Sequence, residues 1–292
     1  MQAVKESAHA KINLHLECLG LREDGFHDIK SVMHSLSLSD EVTVTLHGRD
    51  KRSIRVSVSG GYRLPTDKKN LVYMAAELFL ERMAITADIY IKLEKHIPVA
   101  AGLGGGSSDA AATLRALNRL FGRPCTDRVL LSMAAELGSD VPYCLIGGTA
   151  LCEGRGERIT RLATDIRLSA VIASSGEHVS TPRAYSALDR EYASFDGTVP
   201  HSADKEYGEL LEYLSGGERP ERLYNIFESV ILKDTPGARS ILARLGELGA
   251  RLSLMSGSGS SVFGIFDTDE AASFAADELK KEGVRAFAVR SV

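Results

Sequence analysis

Four glycines in five positions, Gly102, Gly104, Gly105 and Gly106, followed directly by Ser107 and Ser108, are the residues of this chain best suited to holding a phosphate. Glycine lets the main chain approach a ligand and turn its N–H groups towards it, and a helix start beyond adds a positive dipole end and hydroxyl donors. A mere connection would lose backbone entropy at each glycine without return. Two common phosphate loops are excluded by spelling. A P-loop needs Lys-Ser or Lys-Thr after its last glycine, and a dinucleotide fingerprint begun at Gly102 or Gly104 meets Ser107 or Asp109 where its last glycine belongs.

Other residues able to work beside a phosphate are scattered. Ala8, Ala10, Ile12, Leu14 and Leu16 alternate with His9, Lys11, Asn13 and His15, a period of two that makes a strand. Lys11, Asn13 and His15 then share one face, about 6 to 7 Å apart in succession. Taken singly, each polar residue also has an ordinary reading. Lys11 reads as a solvated strand lysine, Asn13 as a buried amide paired with backbone, and Asp140, just before Val141-Pro142, as a helix cap. His27 reads as an exposed turn histidine, Phe26 as a stacking platform or a core plug, and Lys95 as an exposed strand-end charge.

The elements that must position these residues follow from periodicity. Alternation at Val42-Val44-Leu46, Ile54-Val56-Val58 and Ile89-Ile91-Leu93 predicts strands, and helical spacing from Asn70 to Met83 predicts a helix capped by Asn70. A helix beginning near Ser107 and another over Asp127 to Leu137, closed by Gly138, come next. Gly147 to Arg161 reads as a hairpin. Beyond a soft boundary near residue 160, an apolar run from Leu168 to Ala173 restarts the pattern, and Tyr192 to Lys205 reads as a surface loop. Helices near 206–214, 237–248 and 269–282 and strands near 252–254, 262–266 and 285–289 complete a small α/β sandwich, ferredoxin-like in its alternation.

A length of 292 residues suits two lobes, and 44% apolar with 25% charged residues excludes a disordered chain, a collagen-like repeat or a coiled-coil rod. A net charge of −4 gives no global positive field to attract nucleic acid or anionic lipid. Cys18, Cys125, Cys144 and Cys152 lack metal-knuckle spacing and are too sparse for a disulfide scaffold. With no apolar run of about 18 residues and no h-region in the first residues, a soluble, unprocessed cytoplasmic protein is expected.

The stretch Pro98 to Ser108 resembles the nucleotide-binding motif of the GHMP kinases, the family that includes galactokinase, homoserine kinase and mevalonate kinase. Ala10-Lys11-Ile12-Asn13-Leu14 and Ser256-Gly257-Ser258-Gly259-Ser260-Ser261-Val262-Phe263 stand where that family carries its other motifs, so the resemblance covers nearly the whole chain. Gly25-Phe26-His27 and Gly138-Ser139-Asp140-Val141-Pro142 make it similar to the branch acting on a cytidine-diphosphate-linked methylerythritol. Phe26 replaces the usual Tyr of that branch, and Asp109 stands where Asn is common.

The resemblance implies an α+β, two-domain GHMP-kinase-like fold. A mixed α/β nucleotide-binding domain (1–160) would precede a smaller ferredoxin-like α/β substrate-binding domain (161–292). It implies ATP-dependent phosphorylation of the acceptor's 2-hydroxyl in the non-mevalonate route to isoprenoid precursors, with Asp140 as general base and Lys11 orienting it and stabilising charge. ATP would meet Asn70, Leu71, Lys95, Pro98, Gly102, Leu103, Gly104, Gly105, Gly106, Ser107 and Ser108. The cytidine diphosphate substrate would meet Asn13, Phe26, His27, Asp140, Tyr185, Gly257, Ser258 and Gly259. Magnesium is expected on the phosphates without a dedicated protein cage, touched by Ser107 or Ser108. Neither nucleic acid nor membrane is an expected partner, and monomer and homodimer both stay open. A family kinase acting on homoserine, mevalonate or a sugar is the alternative, followed by a nucleotide-binding regulator without turnover.

Overall fold

The alternating stretch around Ile12 lies inside a long strand, β1 (Gln2–Leu21), and the next strand, β2 (His27–Gly48), is equally extended. A computed structural model describes residues 2–164, 166–193 and 203–292. Both strands pass through two compact units. The first unit holds the residues up to Ala10, Leu38–Val99 and Gly104–Gly147; the second holds Lys11–Ser37, Ala100–Leu103 and Gly148–Val292.

In the first unit, β3 (Ser53–Ser59), α1 (Leu71–Arg82), β4 (Asp88–Glu94), α2 (Gly105–Leu120), α3 (Asp127–Leu137) and α4 (Val141–Ile146) follow the end of β2. Strand β4 pairs antiparallel with β2, Val42 opposite Leu93 and Val44 opposite Ile91, and parallel with β3, where Val56 faces Ile91. Period two turns Val42, Val44, Ile89, Ile91 and Leu93 into one core, closed by Val72, Ala75 and Phe79 of α1 and Ala110, Leu114 and Leu117 of α2. Asn70 caps α1 as expected, its Oδ1 accepting from the Val72 N–H at 3.0 Å. Helix α2 starts at Gly105, two residues before its expected position. The left-handed Gly104 (φ 68°) ends the loop, and its carbonyl accepts from the Ser108 N–H at 2.9 Å. Two glycines inside the first turn hid that start, since glycine is a poor helix former.

In the second unit, β5 (Thr149–Gly154) and β6 (Arg158–Arg161) form the expected hairpin, and β5 also pairs antiparallel with the first half of β2. There follow β7 (Ser169–Ser174), α5 (Thr181–Ala193), α6 (Asp204–Leu214), β8 (Tyr224–Asn225), α7 (Glu228–Asp234), α8 (Pro236–Glu247), β9 (Leu252–Met255), β10 (Val262–Phe266), α9 (Asp269–Lys281) and β11 (Arg285–Arg290). Four of these strands make an antiparallel sheet ordered β11-β7-β10-β9. One strand, helices, a hairpin, a helix and a last strand beside the first is the ferredoxin-like arrangement. Its core joins Val171, Val262 and Phe266 to Ile241 and Leu245 of α8 and Ala276 and Leu279 of α9.

The surface loop expected over 192–205 falls mostly outside the described residues, and its two ends belong to the helices α5 and α6. The first half of β2 escaped the periodicity because Ser31 to Leu36 are buried on both faces, which removes alternation. Its polar residues are satisfied internally: the His34 ring nitrogens pair with the hydroxyls of Thr149 and Ser291, each at 2.8 Å.

His15 is buried differently. Neither ring nitrogen has a hydrogen-bond partner among the described residues, Glu17 Oε2 lies 3.6 Å away, and the rings of Tyr207 and Tyr224 stand 5.3 and 5.7 Å off. Burial, helped by the charge of Lys30, lowers the His15 pKa to about 4. A pKa below the unfolded value means stability that is present above about pH 6.5 and lost as pH falls towards 4, on the order of 3 kcal/mol for this one group. His15→Phe is therefore expected to keep or raise stability at pH 7 and to flatten the loss between pH 6.5 and 4. Urea unfolding at several pH values measures this; an equally steep acid loss in the variant contradicts it.

Candidate active site

In the first unit the later part of the glycine-rich loop, from Gly104 on, stands beside three buried charges. Lys95 is 3% exposed, Asp109 2% and Asp40 0%, so Lys95 is not an exposed strand-end charge. Its ammonium donates to Asp109 Oδ2 at 2.7 Å and to Asp40 Oδ2, while Asp40 Oδ1 accepts from the main-chain N–H of Ile97 at 2.8 Å. Burial alone would lower the Lys95 pKa, but Asp109 and Asp40 raise it instead. Burial pushes the Asp109 carboxyl up, against the pull of Lys95 and with the help of Asp40. Two carboxylates share one ammonium, and Asp109 Oδ1 has no hydrogen-bond partner among the described residues.

The loop has little room over this cluster. A Cβ at Gly105 would lie 3.1 Å from Ile97 Cγ2 and 3.3 Å from Lys95 Nζ, whereas one at Gly106 would meet only Leu71 Cδ1 at 3.6 Å. Leu71 thus stands beside the loop, next to the cap Asn70, whose Nδ2 donates to Pro65 O at 2.7 Å. Pro98 and Ser108 are buried and Ser107 is half-buried. Asp140 occupies the N-cap position of α4, yet its side chain makes no capping hydrogen bond. The turn is made by its carbonyl, which accepts from the Cys144 N–H at 3.0 Å. The capping role suggested by sequence does not hold for the carboxylate.

In the second unit Lys11 and Asn13 are 4% and 1% exposed. Lys11 Nζ donates to Asn13 Oδ1 at 2.7 Å, Asn13 Nδ2 to Ser31 Oγ at 2.8 Å, and Ser31 Oγ to the His15 carbonyl at 2.7 Å. Lys11 is therefore no solvated lysine, and Asn13 bonds to side chains rather than to backbone. The Lys11 N–H also donates to Leu103 O at 3.0 Å. At Gly102 (φ 76°) a Cβ would fall 2.1 Å from the Ser256 carbonyl, and at Gly257 one would fall 3.2 Å from Lys11 Nζ. Lys11, residues 102–103 and residues 256–257 hence meet at one place.

Asn225 and Glu228, absent from the sequence-based candidates, hold that late loop. Asn225 Nδ2 donates to Met255 O at 2.7 Å and Gly257 O at 2.8 Å while its Oδ1 accepts from the Phe227 N–H, and Glu228 Oε1 accepts from the Met255 N–H at 2.8 Å. Burial raises the Glu228 pKa. Ser258 Oγ pairs with Thr181 Oγ1 at 3.2 Å, and Gly259 is left-handed at φ 81°.

The three aromatic candidates are also in this unit. His27 stacks on Tyr185, centroids 4.6 Å apart, and its Nε2 pairs with Asp189 Oδ1 at 2.7 Å. Its side chain is only 9% exposed, so it is no open turn histidine. Tyr185 meets Phe227 edge-on at 4.9 Å. Phe26 is 50% exposed, which excludes a core plug.

Two family models match the chain: the GHMP kinases N terminal domain over residues 70–148 and the GHMP kinases C terminal over residues 206–285. A 4-diphosphocytidyl-2-C-methyl-D-erythritol kinase of Caldicellulosiruptor saccharolyticus is 39% identical over 274 residues, 94% of this chain and 91% of that protein. The chain belongs to the 4-diphosphocytidyl-2-C-methyl-D-erythritol kinase family of the GHMP kinases. A family relative from Clostridium botulinum is 37% identical over 285 residues, 98% of this chain and 99% of its own. The crystal structure of a 4-(cytidine 5'-diphospho)-2C-methyl-D-erythritol kinase has a TM-score of 0.82 at 34% identity, covering 99% of this chain and 100% of the other. Homoserine kinase from Cytophaga hutchinsonii, at 23% identity and a TM-score of 0.73 over 100% and 95% of the two chains, shares the fold. As in the GHMP kinases, this is an α+β fold, and among the described residues no helix is long and apolar enough to cross a membrane.

Proposed function

We propose that this GHMP kinase transfers the γ-phosphoryl group of ATP to the 2-hydroxyl of 4-diphosphocytidyl-2-C-methyl-D-erythritol, giving ADP and the 2-phosphate, in non-mevalonate isoprenoid-precursor synthesis in the cytoplasm. The observation that carries the reading is the buried Lys11–Asn13 pair beside Gly102 and Gly257. A buried amine held by an amide, next to two glycine-rich turns, is suited to phosphate charge. Full-length relatives bearing the kinase name support it.

Phosphoryl transfer needs an alcohol in line with the γ-phosphorus and donors for the charge on its oxygens. In this reading Asp140 accepts the hydroxyl proton as that oxygen bonds to phosphorus, the bond to the bridging oxygen breaks, and ADP departs. Lys11 orients Asp140 and stabilises the developing charge, while the amides of Gly102 to Ser108 hold the phosphates and Asn70, Leu71 and Lys95 serve the adenine side. Asn13, Gly257, Ser258 and Gly259 hold the acceptor, and Phe26, His27 and Tyr185 the cytosine. Nucleotide binding is assigned mainly to residues 1–160 and substrate binding mainly to 161–292. Magnesium supplies charge neutralisation when bound to the phosphates. Asp40 and Asp109 are buried on Lys95, so the hydroxyl of Ser107 or Ser108 would be the protein group to hold it, without a dedicated cage. The proposed partner is the small-molecule acceptor, not nucleic acid or membrane.

An ADP-release assay with magnesium over a panel of alcohols tests this: the cytidine-bearing acceptor, homoserine, mevalonate and galactose. Turnover confined to the first is expected; preference for another alcohol overturns the acceptor, and ATP binding without ADP release overturns the kinase. Phe26→Ala is expected to raise KM for the acceptor about tenfold with a smaller change in kcat, as loss of a stacked base predicts.

A further inference from the structure

Arg155 stands in the turn between β5 and β6, where Gly154 takes φ 70° and Glu157 folds back so that its Oε2 accepts from the Arg155 N–H at 2.7 Å. A Cβ at Gly154 would lie 2.7 Å from the Glu157 carboxylate. The turn is therefore fixed by main chain and Glu157, and the Arg155 side chain takes no part in making it. Its guanidinium lies instead over the Phe26 ring, 4.6 Å from the centroid.

The surrounding charges make that position informative. Arg22 is already on Asp24 and Asp28 at 3.2 and 2.7 Å, and Lys30 is 3.5 Å from Asp204 with its ammonium over the Tyr207 ring. Asp24, the acid that feels Arg155, is occupied by Arg22 and by the Phe26 N–H at 3.1 Å. Arg155 itself forms no ion pair among the described residues. A guanidinium without a carboxylate, resting on a half-exposed ring, presents a planar fork of donors to whatever else meets that ring.

We propose that Arg155 is a specificity-determining residue that binds the diphosphate of a nucleoside-diphosphate-linked acceptor while seated on Phe26, whose ring shares the base. The inference rests on the acceptor reading given above.

Calorimetric titration of CDP, CMP and cytidine tests it, on the full chain with the ATP site filled by a non-hydrolysable ATP analogue. Wild type is expected to prefer CDP to cytidine by at least about tenfold, and Arg155→Met to lose that preference with cytidine affinity changed less than about threefold. Arg155→Lys should restore part of it, because an ammonium keeps the charge but not the fork. Equal weakening of CDP and cytidine would make Arg155 a mere prop for Phe26, and unchanged CDP affinity would remove it from the site; either overturns the proposal. Wild type that binds neither CDP nor cytidine overturns the acceptor reading itself, a pattern distinct from those two.

Discussion

Asp140→Asn and Lys11→Ala are each expected to lower kcat by about 10²-fold or more in the ADP-release assay, because in the proposed mechanism each supplies charge to the transfer. The two substitutions differ in what else they disturb. The Asp140 carboxylate makes no capping bond to α4, so its replacement by asparagine removes the proposed proton acceptor without removing a cap from that helix. Lys11→Ala takes away the donor to Asn13 Oδ1, and leaving a buried acceptor unpaired costs about 1–3 kcal/mol. Thermal unfolding measured beside turnover separates the two contributions. Wild-type kcat in both variants would remove the Lys11–Asp140 mechanism.

The largest stability effect is expected at Lys95. Lys95→Met leaves Asp40 and Asp109 buried together with no cation, and breaking a buried pair from one side costs about 3–5 kcal/mol. Asp109→Asn, by contrast, removes one of two carboxylates that share the same ammonium and should cost little. It should also change the pH dependence. A carboxyl whose folded pKa is raised contributes stability fully present below its unfolded value near 4 and lost as pH rises through the folded one, here about 8. Urea unfolding at pH 5 and pH 8 is therefore expected to show the asparagine variant gaining on wild type at the higher pH. Equal behaviour at both values would mean that Asp109 carries no proton.

The elements that were legible are those with one wet face. Strands β3 and β4 and helices α1, α3 and α9 follow simple periods because one side of each meets a core. The half of β2 around Met33 was not, since both sides are covered and serines and a histidine replace the apolar set. The same limit applies to the site. Glycine spacing and the Lys-x-Asn pattern pointed to phosphate chemistry because those residue types carry it locally. Asn225 acts on carbonyls 30 and 32 residues later, and Asp40 meets Lys95 across 55 residues. Only the fold creates such pairs, and no local spacing encodes them. His27 illustrates a mixed case: its ring was a candidate for the base, while its bond to Asp189 and stacking on Tyr185 come from α5, a helix the periodicity did not announce.

Gly102 has a bearing on drug resistance. Any missense change of a glycine codon installs at least one carbon, and here that carbon would collide with the Ser256 carbonyl at 2.1 Å. A compound that leans on the main chain at this residue would face a wall that point mutation cannot easily move, because the escape variant would first have to rebuild the turn at Ser256.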